Sequence, residues 1–206
     1  MKYKSEQEEF WAGDFGNLYI NRNKGNKLLA SNINFFHNAL KNQKKIKSVI
    51  EFGANIGMNL KALGIMYPDL ELNGIEINKK AFGELTKNKR IKKAYNCSIN
   101  SFKTEEKYDL SLIKGVLIHI NPTLLNEVYT KLYESSNKYI LIAEYYNPSP
   151  ISINYRGFED KLFKRDFAGE FLDLFPKTTL IDYGFAYHRD NNFPQDDITW
   201  FLIEKE

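Results

Sequence analysis

The 206-residue sequence has little cysteine, histidine and proline, and each scarcity excludes a class of protein. Its one cysteine, Cys97, has no partner for an internal disulfide and rules out a zinc site built from several cysteines. The three histidines lie far apart without the spacing of metal ligands, so we expect no metal site. Six prolines and 12 glycines are too few for a collagen-like or linker-dominated chain.

Long apolar runs are also absent, since none approaches the roughly 18 residues that a membrane span requires. The first ten residues are charged rather than apolar, so the sequence predicts no signal peptide and we expect a cytoplasmic protein without membrane contact. Basic residues exceed acidic residues by only three, 29 against 26, which is not typical of a nucleic-acid groove. With 43% hydrophobic residues, the chain is long enough to bury the core of one folded domain.

Short apolar runs alternate with helix-compatible segments through the middle of the chain. The runs lie at 47–52, 71–77, 94–99, 108–113 and 139–145, with helical segments at 55–66, 79–88 and 122–135. This order is typical of βαβ units, which form a parallel sheet with helices on both faces. A helix is predicted at 166–175, and two strands at 179–187 and 198–204 are joined by a loop short enough for an antiparallel pair. The sequence therefore predicts a Rossmann-like α/β fold with a seven-stranded, mostly parallel sheet and a C-terminal antiparallel hairpin.

A glycine-containing turn follows the first predicted strand. Gly53 permits a tight turn, and Gly57 lets the next helix approach a ligand or strand closely, although a plain βα connection uses such glycines too. Glu76 lies 19 residues after Gly57, where a carboxylate binds ribose hydroxyls in nucleoside-binding α/β sheets. Glu51 would repel a pyrophosphate, and Asn55 stands where the dinucleotide fingerprint has glycine. We therefore expect a nucleoside that is cationic near Glu51, for which S-adenosylmethionine (SAM) is the best match.

From about residue 46 to residue 120, the sequence resembles the class I SAM-dependent methyltransferases. The resemblance implies that the turn contacts the methionine part, that Glu76 holds the ribose, and that Cys97 and Ser98 lie at the adenine, where the family commonly has an acid. It also implies that Lys114 and Gly115 lie beside the sulfonium. The candidate cofactor-binding residues are Trp11, Tyr19, Arg22, Glu51, Gly53, Asn55, Gly57, Glu76, Ile77, Cys97, Ser98, Lys114, Gly115 and Val116.

The candidate catalytic and substrate-binding residues follow the fourth and fifth strands. His119 is either a base with a pKa near neutrality or a packed histidine, and Tyr146 is a second candidate base. Two of the five arginines, Arg156 and Arg165, have the planar fork that holds a carboxylate or phosphate, although nearby acids offer them structural partners. Asn147 and Tyr155 are further candidate substrate contacts in the same stretch.

Two flanking segments carry a more specific resemblance. The aromatic stretch at 9–23, together with Tyr155-Arg156-Gly157 and the segment 164–169, is similar to the methyltransferases associated with pseudaminic acid biosynthesis. This resemblance implies O- or N-methylation of a small acidic sugar or sugar nucleotide of the pseudaminic or nonulosonic type, for surface glycans or flagellin. Methylation of another small molecule, RNA or protein, and a non-catalytic SAM-binding partner, remain alternatives. The sequence leaves the oligomeric state open.

We expect a single SAM-dependent methyltransferase domain over residues 1–206, with four segments. Residues 1–45 form an N-terminal helical cap and residues 46–146 the cofactor-binding core. Residues 147–175 form a substrate-facing insert and helix, and residues 176–206 form the terminal hairpin. Because this core uses most of the chain, we expect substrate selectivity to come from the cap and the insert.

Overall fold

A computed structural model describes residues 3–43 and 46–206, so that residues 1, 2, 44 and 45 of the expected cap lie outside the described part. The helices are α1 (Glu6–Ala12), α2 (Asp14–Tyr19), α3 (Asn26–Leu40), α4 (Met58–Met66), α5 (Lys79–Leu85), α6 (Leu125–Ser135) and α7 (Phe167–Leu174). The strands are β1 (Ser48–Phe52), β2 (Glu71–Ile75), β3 (Ile91–Tyr95), β4 (Tyr108–Lys114), β5 (Ser136–Glu144), β6 (Ile151–Tyr155), β7 (Phe158–Lys164), β8 (Thr178–Ala186) and β9 (Ile198–Lys205).

Seven of these strands form one sheet in the order β3-β2-β1-β4-β5-β9-β8. The first five strands are mutually parallel, whereas β9 pairs antiparallel with both β5 and β8. The predicted fold class is confirmed, including the C-terminal hairpin. Since β1 lies between β2 and β4, the order of strands reverses beside β1, and ligands bind open α/β sheets at the carboxyl ends of the strands at such a point.

Helices cover both faces of the sheet and bury two apolar cores. On one face, α3 and α4 pack against the sheet through a cluster that includes Phe35, Phe36, Leu60 and Leu63. On the other face, α6 and α7 do so through a cluster that includes Val128, Tyr129, Leu132, Phe167 and Phe171. The inner strands are buried on both faces, which explains why their sequences are continuous apolar runs without alternation.

The structure corrects one sequence prediction about secondary structure and shows a hairpin that the sequence analysis did not predict. The third strand is Ile91–Tyr95 rather than 94–99, because the segment after Tyr95 leaves the sheet and enters a 3-10 turn, Ile99–Ser101. Residues 147–163, which show no periodicity, contain most of a separate two-stranded antiparallel hairpin, β6–β7. Most side chains of β6 and the first half of β7 are at least partly exposed, so burial imposes no alternation on their sequence.

The N-terminal helices and the β6–β7 hairpin pack together over the carboxyl edge of the sheet. Phe158 of β7 contacts the rings of Phe10 and Phe15 at centroid distances of 5.0 and 5.9 Å. The Gln7 side chain donates a hydrogen bond to the Asp160 carbonyl at 2.9 Å. Across residues 3–43 and 46–206, no helix combines the length and apolarity needed to cross a membrane.

Candidate functional site

A cavity of about 210 Å³ lies at the carboxyl ends of the parallel strands. The turns after β1, β2, β3 and β4 form its base, and α1, α2 and the β6–β7 hairpin contribute its outer wall. The fold thus brings together residues from Ser5 to Ile198, which lie at opposite ends of the sequence.

The turn after β1 is left-handed at three alternate positions. Gly53, Asn55 and Gly57 have φ values of 76°, 49° and 82°. A Cβ atom on Gly53 would lie 2.6 Å from a Val116 methyl carbon, so this glycine is required by both backbone conformation and space. Asparagine adopts the left-handed region more readily than most residues. This explains how Asn55 can stand where the dinucleotide fingerprint has glycine.

Glu76 follows β2 and connects two of the turns. One carboxylate oxygen accepts the Asn55 N–H and the other accepts the Asn78 N–H, each at 2.7 Å. Burial raises the pKa of Glu76 to about 7, although these backbone hydrogen bonds oppose the rise. Because a carboxylate has about four acceptor positions, two of them stay available for a ligand's hydroxyl groups.

Glu51 is buried at the end of β1, with 1% of its surface exposed. Its Oε1 accepts a hydrogen bond from the Asn59 side chain at 2.6 Å, while its Oε2 has no partner within residues 3–43 and 46–206. Burial raises the pKa of Glu51 to about 8. Lys114, whose own pKa burial lowers, is a nearby positive charge, and its Nζ donates to Gln195 at 3.1 Å. A cationic ligand group at Glu51 would favour its ionised form.

Glu144 at the end of β5 shapes the loop after β4. Its Oε1 accepts the N–H groups of Val116 and Leu117 at 2.9 Å, at the start of the 3-10 turn Leu117–His119. Burial raises its pKa to about 7. Because two backbone donors are satisfied by one buried carboxylate, the loop that carries Val116 and His119 is held in one conformation.

His119 is buried, and its ring packs between Trp11 and Tyr155 at centroid distances of 4.5 and 4.9 Å. Its Nδ1 lies 2.6 Å from the Lys161 carbonyl oxygen. A carbonyl only accepts, so Nδ1 carries the proton and Nε2 presents a lone pair. Burial lowers the pKa of His119 to about 4, which keeps the ring neutral at physiological pH. The Nε2 atom has no protein partner in the described part of the chain, so it is free to accept a hydrogen bond. Because burial disfavours the charged ring, the pKa lies well below the near-neutral value expected of His119 as a base.

Asn78 attaches the N-terminal helices to the sheet. Its Oδ1 accepts from the Ala81 N–H to cap α5, and its Nδ2 donates to the Trp11 carbonyl at 3.2 Å and to the Asn17 side chain at 3.1 Å. A Cβ on Gly16 would lie 2.8 Å from the same Nδ2, so the backbone of α2 approaches it closely. These contacts place Trp11 and Tyr19 on the cavity wall.

The structure brings most of the predicted site residues to the cavity. Those that line it are Trp11, Tyr19, Gly53, Asn55, Glu76, Ile77, Ser98, Lys114, Gly115, Val116, His119 and Tyr155. Glu51 and Gly57 adjoin it, since Glu51 bonds to the lining residue Asn59 and Gly57 starts the helix that carries Met58 and Asn59. The assigned roles stay predictions.

Six predicted residues neither line nor adjoin the cavity. Tyr146 is 43% exposed and packs against Phe201. Arg165 forms an ion pair with Glu170 at 2.6 Å, the structural pairing left open from sequence. Arg156 is exposed at the turn of the hairpin, where its Cζ lies 5.4 Å from the centre of the Tyr155 ring. The remaining three are Arg22, which is exposed, Asn147, which is partly buried, and Cys97, whose partly buried side chain packs against the apolar core.

Sequence reasoning missed several residues of the site. Glu144, which holds the loop after β4 without lining the cavity, could have been found, since it ends a strand at the same edge as Glu51 and Glu76. Glu8 and Asp196 gave no signal, because they come from a short helix and a loop that only the tertiary fold brings to the cavity. Within residues 3–43 and 46–206, no group of three or more histidine, cysteine, aspartate or glutamate side chains is placed to hold a metal ion.

The strand order and the cavity beside β1 together define the fold of class I SAM-dependent methyltransferases. No family model matches the sequence, and no curated protein matches it. Similarity is found among solved structures. A SAM-dependent methyltransferase from Leishmania major superposes with a TM-score of 0.74 and 14% identity, over 98% of this chain and 82% of that one.

Two further structures match at full coverage of this chain. One is the magnesium protoporphyrin IX methyltransferase from Synechocystis with bound SAM, with a TM-score of 0.69, 11% identity and 100% of both chains covered. The other is the 1,6-didemethyltoxoflavin-N1-methyltransferase from Burkholderia thailandensis, with bound 1,6-didemethyltoxoflavin and S-adenosylhomocysteine. It has a TM-score of 0.69 and 12% identity, with 100% of this chain and 91% of that one covered. At such identities the likeness shows a shared fold.

The residues at the cavity fit SAM in chemical type. Trp11 Nε1, Glu51 Oε2 and Asn55 Oδ1 are buried and have no hydrogen-bond partner among the described residues. Buried polar atoms without partners are costly, so a ligand with an ammonium, a carboxylate and hydroxyl groups would satisfy groups that the protein leaves unpaired. Glu51 matches the ammonium, and Glu76 matches ribose hydroxyls.

Proposed function

We propose that this protein is a SAM-dependent methyltransferase that acts on a small molecule. The observation that carries this proposal is the pair of buried carboxylates, Glu51 and Glu76, on either side of the left-handed turn at the carboxyl ends of β1 and β2. One carboxylate favours a cation, and the other has acceptor positions for vicinal hydroxyls. That combination suits a nucleoside joined to an amino acid better than it suits a dinucleotide.

When bound, the cofactor supplies an electrophilic methyl group on a sulfonium. The protein must then orient an acceptor atom toward that methyl group and remove a proton from it, so positioning carries much of the catalysis. Trp11, Tyr155 and the Lys161 carbonyl hold the His119 ring in one orientation. Its neutral Nε2 accepts a hydrogen bond from the hydroxyl or amine, and takes the proton as that group becomes more acidic, when the acceptor atom gains positive charge during methyl transfer. The cap and the hairpin cover the cavity and limit the access of water.

We further propose that the substrate is a small acidic sugar or sugar nucleotide of the pseudaminic or nonulosonic type, methylated on oxygen or nitrogen. The sequence resemblance at 9–23, 155–157 and 164–169 supports this class. Arg156 beside Tyr155 adds a positive charge for a carboxylate or phosphate, and Tyr19, Tyr145 and Tyr155 supply hydroxyl groups at the cavity. Arg165 gives no support, because Glu170 occupies its guanidinium.

Calorimetry with S-adenosylhomocysteine, the demethylated product, tests the function. We expect the protein to bind it, and Glu76→Gln to weaken binding by about tenfold or more. In the variant, the NH₂ group of the amide would face a backbone N–H donor, and the charged acceptor for the ribose hydroxyls would be lost. Glu84→Gln is the matched control, since Glu84 is an α5 glutamate paired with Lys87 away from the cavity. An absence of binding to the wild-type protein at millimolar ligand would refute the proposed function.

A further inference from the structure

We propose that Glu8 of the N-terminal helix α1, together with Asn100, recognises the amino group of the cofactor's adenine and rejects a purine that carries oxygen at that position. This inference rests on the proposed function. It assigns to the helix α1 a specificity role in cofactor binding, at the adenine position where the resemblance places Cys97 and Ser98.

Glu8 is a buried carboxylate in the wall of the cavity, with 7% of its surface exposed. It forms no ion pair with any residue of 3–43 or 46–206. Its oxygens accept hydrogen bonds from the Lys4 N–H at 2.7 Å, the Asn100 Nδ2 at 2.9 Å and the Ser98 hydroxyl. A buried charge without a cation is costly and is retained where its acceptor capacity has a use.

Among the residues that the structure describes, Glu8 and Asn100 each keep one hydrogen-bond acceptor position without a donor. A carboxylate has about four acceptor positions, of which the three donors occupy three. The Asn100 amide is oriented by its contact with Glu8, because a carboxylate accepts and must therefore face the NH₂ side. Asn100 Oδ1 is left buried and without a partner in the described part of the chain. Two free acceptors match the two N–H donors of an exocyclic amino group.

The position relative to Glu76 agrees with this assignment. The Asn96 side chain donates to the carbonyls of Glu76 and Ile77 at 2.8 and 3.2 Å, which ties the loop after β3 to the turn that carries the ribose carboxylate. A base attached to a ribose at Glu76 therefore lies next to Ser98 and Asn100. Ile77 and Ile99 line the same cavity and offer apolar contact to a flat ring.

Ser98 has a different part in this arrangement. Its hydroxyl donates to Glu8, and its oxygen accepts the Asn100 N–H at 3.1 Å. The hydroxyl thus positions the two recognising groups, and the negative charge comes from a helix about ninety residues earlier in the chain. Adenine binding and docking of α1 are therefore energetically coupled.

Calorimetry with S-adenosylhomocysteine and its 6-oxo analogue, S-inosylhomocysteine, tests the proposal. We expect the wild-type protein to prefer the amino form by about tenfold or more. The oxo group of the analogue only accepts hydrogen bonds, and it would face the Glu8 carboxylate, which also only accepts them. Glu8→Gln should reduce this preference about tenfold, since its amide can donate to the oxo group. Glu9→Gln, an exposed change on the same helix, should leave the preference unchanged. Asn100→Ala should also reduce it, which keeps the test valid if Glu8→Gln folds poorly.

The outcomes separate this inference from the proposed function. Equal affinity of the wild-type protein for the two ligands would overturn the role of Glu8 and Asn100 while leaving SAM binding intact. Equal weakening of both ligands by Glu8→Gln would show that Glu8 only tethers the helix, and would also overturn it. Failure of the wild-type protein to bind either ligand would overturn the proposed function and the inference together.

Discussion

Burial, rather than neighbouring charge, has the largest effect on the pKa values of the three glutamates at the carboxyl edge of the sheet. Glu51, Glu76 and Glu144 are each less than a tenth exposed, and burial raises the pKa of each, to about 8, 7 and 7. Glu76 and Glu144 recover part of the cost from backbone N–H donors. Among the described residues, Asn59 alone donates a hydrogen bond to Glu51, and Lys114 acts only through its charge, so Glu51 keeps its proton most strongly.

The unbound protein should lose stability as pH rises through the range in which Glu51 ionises. The folded state holds a proton on Glu51 up to about pH 8, whereas the unfolded chain releases it near the ordinary value of 4.5. The folded state therefore binds more protons in this window, and its stability falls with increasing pH. Glu51→Gln keeps the size of the side chain and removes this pH-dependent contribution. The free energy of unfolding of the variant, relative to that of the wild type, should therefore rise between pH 5 and pH 8.

Urea unfolding of both proteins at these two pH values measures the difference. Glu76 and Glu144 are present in both proteins, so their contributions largely cancel in the comparison. Glu9→Gln serves as the exposed control. If Glu51→Gln and the wild type lost stability equally over this range, Glu51 would not carry the buried proton.

At the scale of elements, the helices α1 and α2 and the β6–β7 hairpin depend on each other. Neither packs on the two main cores to the extent that α3 and the other sheet helices do, and their shared surface is built from aromatic rings and the Gln7 hydrogen bond. The hairpin also holds His119 through the Lys161 carbonyl. The sequence could not predict the hairpin because few of its side chains are buried, and period-two patterning arises only where one face of a strand is buried.

Removing the Phe158 ring should therefore loosen the cap. Phe158→Ala deletes contacts with Phe10 and Phe15, and each aromatic pair contributes about 1 kcal/mol. We expect the backbone amides of α1 and α2 to exchange with solvent about fivefold faster or more in the variant. Phe185→Ala is the matched control, since Phe185 is also an exposed aromatic but lies on the edge strand β8. Unchanged exchange in the cap would contradict the proposed packing.

At the scale of the whole molecule, the sheet was predictable because five apolar runs alternate with helices, and parallel strands joined in this way have one favoured handedness. The same topology made Glu51, Gly53 and Glu76 predictable as neighbours, since each follows or ends a strand at one edge. The outer wall was not predictable from local pattern. Glu8 and Asp196 reach the cavity only through tertiary packing, and Tyr146 turns outward onto Phe201 instead.

Transfer of a labelled methyl group is the most direct test of the central claim. The protein is incubated with methyl-labelled SAM and a pool of cytosolic sugar nucleotides, and the products are identified by mass spectrometry. We expect label in one small acidic product whose mass rises by one methyl group, and a loss of roughly 10²–10⁴-fold in His119→Gln, which keeps an N–H donor for Lys161 but lacks a basic nitrogen. Label that enters no product although S-adenosylhomocysteine binds would contradict the account, as would label that enters only RNA or protein when these are supplied in a parallel incubation.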